Sequence, residues 1–248
     1  MEYGVLGNGD RMPMVGFGTW DVRGRAGVRT IVEALEEGYR LIDTAHMYAN
    51  EREVGEALRK SGVPREDAFV TTKLDRPYAG YDKALAGCDH SLRELRLEHV
   101  DLLLIHEPYA QVRDMWRALV ELREQGKVCH IGVSNFQGRF LTDFLAWCDA
   151  EGLPQPELGQ VEAHVYWTQA STREVLKQRG ILVQAWAPFT EGRRRIFTDS
   201  TLVGVGERHG KTAAQVALRY LLQLGVRGAK VVASPAHGRE PRRLWLRA

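Results

Sequence analysis

Short β-type runs and longer helix-type runs alternate through almost the whole chain, and this beat constrains the fold more than any other feature. The β-type runs are MVGFG (14–18), YRLIDT (39–44), AFVTTK (68–73), VDLLLIH (100–106), VCHIGVS (128–134), ELGQVEAH (157–164), ILVQAWAP (181–188) and KVVAS (230–234). Helical patterns fall between them at 29–38, 51–62, 84–97, 114–126, 139–152, 171–179 and 212–224, several closing on a glycine as helix ends do. Eight such units in 248 residues match the size of an α/β (β/α)8 TIM barrel. A doubly wound sheet has the same alternation, but its first strand leads into G-x-G-x-x-G, and GFGTWDVRG spaces its glycines differently. One barrel domain over residues 1–248 is therefore expected. Ahead of the first barrel strand, GVLGNGDRMPM carries Asn-Gly between apolar residues, the mark of a β-hairpin placed to plug the lower mouth.

Charge narrows the partners. With 34 basic and 32 acidic residues the formal balance is +2, which leaves no electrostatic footprint for nucleic acid or a membrane surface. No window of about 18 apolar residues exists for a membrane span, and the N-terminal MEYGVLGNGD lacks a secretory pattern. Cys88, Cys129 and Cys148 are odd in number and have no CxxC spacing, as expected of free thiols in a reducing cytoplasm. The expected partner is a small molecule; nothing specifies an oligomer, and a monomer is the default.

In a TIM barrel chemistry gathers at the C-terminal ends of the strands. Here those ends supply Asp43 and, just beyond it, Tyr48; then Lys73; His106; Ser134 and Asn135; Gln160, Glu162 and His164; and Trp186 with Pro188. A lysine held by a carboxylate stays charged, and its cation favours ionisation of a nearby tyrosine, whose reference pKa is about 10. A histidine within reach orients or polarises a carbonyl oxygen, so Asp43, Tyr48, Lys73 and His106 compose a carbonyl-reducing set. Simpler roles exist for some of these groups: Asp43 as a helix cap, and Glu51 as a capping acid for the next helix. His46, His90, His99, His130 and His209 lack metal-ligand spacing and read as surface or packing residues, so no metal is expected. GVSNF around Ser134 is not G-x-S-x-G, which disfavours a serine hydrolase. Lys73 at a strand end also suits a Schiff-base aldolase.

The motifs GFGTW, DTAHMYANEREVGEAL, TTKL, VDLLLIHEP, GKVCHIGVSNF, GQVEAH and GKTAAQVALRYLLQLGV stand in one order across about residues 5–232. In that order they resemble the aldo-keto reductase family, NADPH-linked carbonyl reductases built on this barrel, and within it the bacterial aldehyde and diketogluconate reductases. The resemblance implies that Tyr48 donates the proton, Lys73 tunes it, Asp43 pairs with Lys73 and His106 orients the substrate carbonyl. It implies that Ser134, Asn135 and Gln160 hold the nicotinamide carboxamide, and that Trp186, followed by Pro188, stacks on the ring. Trp20 matches a substrate-pocket aromatic. Glu107 stands where most members carry an aromatic or uncharged residue, so it is expected either to alter substrate preference or simply to be solvated. After the eighth strand the family reads IPKS, with its lysine on the cofactor 2'-phosphate, whereas this chain reads VVASPAHGREPRRLWLRA. Lys230 lies upstream of that position, and Arg239, Arg242 and Arg243 carry the positive charge, so NADH is admitted beside NADPH and the C-terminal segment reads as shortened. The resemblance also admits a nicotinamide-binding regulatory protein with little turnover.

Overall fold

The structure, a computed structural model, describes residues 2–7, 9–227 and 229–232. The expectations for residues 233–248, Arg239, Arg242 and Arg243 among them, lie outside the described residues, as does the side chain of Lys230.

An antiparallel hairpin of β1 (Tyr3–Val5) and β2 (Arg11–Pro13) precedes the barrel. The staves are β3 (Val15–Gly18), β4 (Leu41–Asp43), β5 (Phe69–Leu74), β6 (Val100–Ile105), β7 (Val128–Ser134), β8 (Leu158–Glu162) and β9 (Leu182–Trp186). Each pairs parallel with the next in chain order, so seven staves stand side by side. The eighth is split. Its first half, β10 (Val226–Arg227), pairs with β9, and its second, β11 (Ala229–Val232), pairs with β3, nearly closing the cylinder. The expected strand at 230–234 thus begins earlier, at Val226, after the turn at Gly225 (φ 84°).

Side chains alternate across each strand, and this parity separates two cores. Ile42, Val70, Leu103, Ile105, Ile131, Val133, Val161, Val183 and Ala185 face outward into the layer shared with the helices. Leu41, Phe69, Leu102, Leu104 and Leu158 belong to a separate cluster inside the barrel. The hairpin completes that cluster with Leu6 (2% exposed) and Met12 (0%) and plugs the lower mouth as the sequence predicts. Burying two such side chains stabilises the closed end by about 1.5–3 kcal/mol each. Position 132 has no room for a side chain, since a Cβ there would stand 2.4 Å from the Leu158 carbonyl oxygen and 2.8 Å from Leu104.

One step further along the same parity the lumen turns polar: Leu41 is followed by Asp43, Phe69 by Thr71 and Lys73, Leu158 by Gln160, and Leu182 by Gln184. The barrel is therefore apolar at the plugged end and polar at the other, before any loop is considered.

The helices are α1 (Gly24–Glu36), α2 (Glu51–Lys60), α3 (Tyr81–Leu95), α4 (Val112–Glu124), α5 (Gly138–Ala150), α6 (Ala170–Gln178), α7 (Ser200–His209) and α8 (Ala213–Gln223). All but α7 coincide with the expected helical windows. Helix α7 starts on Asp199, whose carboxylate accepts from the backbone N–H of Thr201 and Leu202 at 3.0 and 3.1 Å. It ends on Gly210 in the left-handed region (φ 62°). Among the described residues no helix is long and apolar enough to cross a membrane.

His130 departs from its expected surface or packing role. It is 2% exposed at the plugged end, with Nδ1 2.6 Å from Glu157 and Nε2 3.1 Å from Asp10 of the hairpin. Burial opposes its charge, but the bonds to these carboxylates and their charges prevail and raise its pKa above the ordinary 6.5. His130 is an ionic clasp between plug and barrel.

Candidate active site

Tyr48 is placed by a short, heavily fastened segment. After β4 the chain makes one helical turn, His46–Tyr48, and leaves it through Ala49 in the left-handed region (φ 51°). Asn50 then donates to the carbonyls of Thr19 and Val22 at 2.6 and 2.8 Å and accepts from the Thr44 hydroxyl at 3.0 Å. This fully buried amide ties the loop after β3 to the tyrosine turn. Glu51 opens α2 but is not a solvent-facing cap: it is buried and accepts from Thr72 of β5 at 2.5 Å. Burial raises its pKa, and the Thr72 bond offsets this only in part. His46 is held against Asp75 at 2.7 Å and packs edge-on to Tyr78 and His90.

The four expected reactive side chains converge. Lys73 and Asp43 are both 0% exposed, with Nζ 2.5 Å from Asp43 Oδ1 and 2.8 Å from the Thr44 carbonyl oxygen. The other Asp43 oxygen accepts from Gln160 at 2.7 Å, and the same amide donates to Gln184 at 2.6 Å. Two charges are thus withdrawn from water and satisfied by each other and by neutral partners, the condition on which a buried ion pair persists. Lys73 Nζ lies 5.1 Å from the centroid of the Tyr48 ring. The Tyr48 and His106 rings meet edge to face at 5.8 Å, both buried near the polar mouth.

Around this centre β6, β7 and β9 contribute a second group. Asn135, in the left-handed region (φ 65°), donates to Glu107 at 2.6 Å and to the His106 carbonyl at 3.3 Å. Its oxygen accepts from the Trp186 indole at 2.7 Å. Ser134 is 1% exposed and its hydroxyl has no partner among the described residues. Pro188 is buried after the turn at Ala187 (φ 49°), and Trp20 is about half exposed (49%) on the loop after β3. Half-burial raises the pKa of Glu107, and the Asn135 bond offsets this in part. Burial, with the charges of Asp75 and Glu107, pushes Tyr109 up to about 12. His164 and Glu162 pair at 3.4 Å, with burial lowering the histidine pKa against the pull of the glutamate.

Gln184 was not singled out in the sequence, although it is fully buried and bonded to Gln160. Its signal was its register: it stands opposite Gln160 and two residues before Trp186, on the lumen parity. His99, Asp101 and Cys129 lie close enough to share an ion, but Asp101 is already neutralised by Arg65 at 2.7 Å.

The residues at this mouth suit a nicotinamide. A carboxamide needs polar partners at the edge of a flat ring, and the ring needs an apolar face. The orphaned Ser134 hydroxyl and the half-buried Trp186 ring meet these needs directly, whereas the Asn135 amide nitrogen is already committed to Glu107 and the His106 carbonyl. Gln160 meets them less directly, because its amide nitrogen is engaged inside the lumen with Asp43 and Gln184.

The profile of the Aldo/keto reductase family matches residues 14–239. An aldo-keto reductase of Mycolicibacterium smegmatis is 40% identical over 224 residues, 89% of this chain and 79% of that one. The glyoxal reductase of Bacillus subtilis is 41% identical over 223 residues, with the same shares of 89% and 79%. The solved aldo/keto reductase of Brucella melitensis superposes with a TM-score of 0.87 at 36% identity, covering 95% of this chain and 90% of that chain.

Proposed function

The chain belongs to the aldo/keto reductase family, oxidoreductases acting on carbonyl groups, and from that premise we propose that it reduces aldehydes or ketones to alcohols with NADPH, Tyr48 giving the proton. The observation that carries the proposal is the convergence of Tyr48 and His106 beside the buried Lys73–Asp43 pair. When bound, reduced nicotinamide supplies the hydride. Ser134, Asn135 and Gln160 would hold its carboxamide, and Trp186, with Pro188 nearby in the chain, would supply the apolar face for its ring. The substrate carbonyl lies between Tyr48 and His106, with Trp20 and Glu107 at the edge of its pocket. His106 orients the oxygen, and the Tyr48 O–H releases its proton to it as negative charge develops there. The Lys73 cation stabilises the charge left on the phenol oxygen, and Asp43, fixed by Gln160, keeps Lys73 in place.

A Schiff-base aldolase requires a neutral, nucleophilic lysine. Lys73 donates to a carboxylate at 2.5 Å in a fully buried pair, which favours the ammonium form. The likeness to the glyoxal reductase of Bacillus subtilis supports small aldehydes and dicarbonyls as substrates. NADPH is taken as the preferred cofactor, with NADH admitted. The buried free thiols Cys88 and Cys148 support a cytoplasmic setting, and we read residues 1–248 as one monomeric barrel domain.

NADPH oxidation across small aldehydes, dicarbonyls and keto-sugars tests the reading, with Tyr48→Phe as its control. That variant keeps the ring and loses only the hydroxyl, so it should lower kcat by about 10²-fold or more while still binding NADPH. Near-normal turnover by Tyr48→Phe would remove Tyr48 as the donor.

A further inference from the structure

We infer that Glu107 is a charge selector at the carbonyl pocket, admitting neutral carbonyl compounds and turning away those that carry a carboxylate near the reacting group. The inference rests on the carbonyl-reductase reading above. It starts from position. Glu107 directly follows His106, so its backbone leaves the same strand end as the histidine that faces Tyr48. Its carboxylate is fixed by the Asn135 amide at 2.6 Å, and Asn135 is fixed in turn by the Trp186 indole at 2.7 Å. The anionic group therefore has a set place beside Asn135, one residue past the histidine that faces Tyr48.

Charge is the second step. A half-buried carboxylate costs free energy unless a cation offsets it. Among the described residues no cation pairs with Glu107: its pKa is governed by burial and by the neutral Asn135 amide. Asp75, the other carboxylate at this part of the mouth, is held against His46 at 2.7 Å. Both acids act on the Tyr109 hydroxyl, and Arg76 opposes them there only in part. Glu107 thus brings to this side of the pocket a negative charge that no cation among the described residues pairs with. Like charges within about 7 Å at such a half-screened place reduce binding roughly tenfold relative to a neutral isostere.

The test compares succinic semialdehyde with its primary amide, which differ at one end by charge and little in shape. Steady-state kinetics with NADPH at mildly alkaline pH are measured for the wild type, Glu107→Gln and Glu107→Asp. The wild type should favour the amide about tenfold in kcat/KM, with the difference residing in KM. Glu107→Gln keeps an oxygen for Asn135 but removes the charge, and should bring the two substrates to within about twofold. Glu107→Asp keeps the charge and should keep the preference. Equal handling by the wild type, or a preference untouched in Glu107→Gln, overturns the inference and leaves the reductase reading standing. An enzyme that reduces no aldehyde of any charge removes that reading, and this inference with it.

Discussion

Replacing Lys73 by methionine separates the structural from the chemical work of the buried ion pair. In Lys73→Met the Asp43 carboxylate stays at 0% exposure with the Gln160 amide but without its cation. Breaking such a pair from one side costs about 3–5 kcal/mol, because a charge is left buried and uncompensated. At about 2–4 °C per kcal/mol for a chain of this size, the midpoint of thermal unfolding should fall by about 10 °C. Adding Asp43→Asn removes the stranded charge, and the Thr44 carbonyl released by the lysine becomes available to the new amide. The double variant should therefore recover most of the lost stability. Its activity should not return, since the Lys73 cation beside Tyr48 is gone, and kcat should stay about 10²-fold or more below the wild type. Thermal denaturation and NADPH oxidation of the wild type, Lys73→Met and the double variant give both readings. A double variant less stable than Lys73→Met would refute the stranded-charge argument, and recovery of turnover would refute the role given to the cation.

Trp186→Leu removes the ring and the indole donor to Asn135, so NADPH should bind about tenfold more weakly and quench less tryptophan fluorescence; unchanged quenching would place the stacking ring elsewhere. His130→Gln tests the clasp at the plugged end. The folded pKa of His130 is raised above 6.5, so its stabilisation is complete below that value and is lost as pH rises through the folded pKa. Glu157 is shifted the other way: burial opposes its charge, yet His130 and Arg123 lower its pKa below 4.5, so its share is lost as pH falls through that lowered value. The wild type should exceed His130→Gln by about 1.5–3 kcal/mol in mildly acidic buffer, narrowing toward alkaline pH. Thermal melts of both proteins across pH check this, and a pH-independent gap would exclude a charged clasp.

The barrel was legible because its staves are covered on both sides, so each reads as a short apolar run between amphipathic helices. The parts that escaped are those whose signals are broken or shared. Helix α7 carries Gly204 and Gly206, which weaken its periodicity. Gly206 is there for packing, since a Cβ would stand 2.3 Å from the Lys211 carbonyl oxygen. Asp199 and Gly210 nevertheless mark both its ends in the sequence. The eighth stave was read late because glycines break GVRGAKVV, and its two halves serve different neighbours. Gln184 was hidden inside ILVQAWAP, where only lumen parity distinguishes it. His130 meets Asp10 of the hairpin and Glu157 just ahead of β8, partners that its neighbours along the chain do not disclose.

Asp43, Lys73 and Gln160 were legible as strand-end residues, but their contacts were not, because a barrel brings β4, β5 and β8 to one axis although 117 residues separate Asp43 from Gln160. Parity supplies the missing link. Side chains two apart point the same way, so every stave that begins with an apolar lumen residue delivers its next inward residue nearer the open mouth. Where that residue is polar it must find its partner inside the lumen, on the adjoining stave or across the axis, since the wall behind it is packed with Ile, Val and Leu. Lys73 meets Asp43 for this reason, and Gln160 meets both Asp43 and Gln184. Glu107 lies just past the end of β6, where this constraint lapses; it meets only a neutral amide among the described residues, and its charge is left to act on whatever enters the pocket.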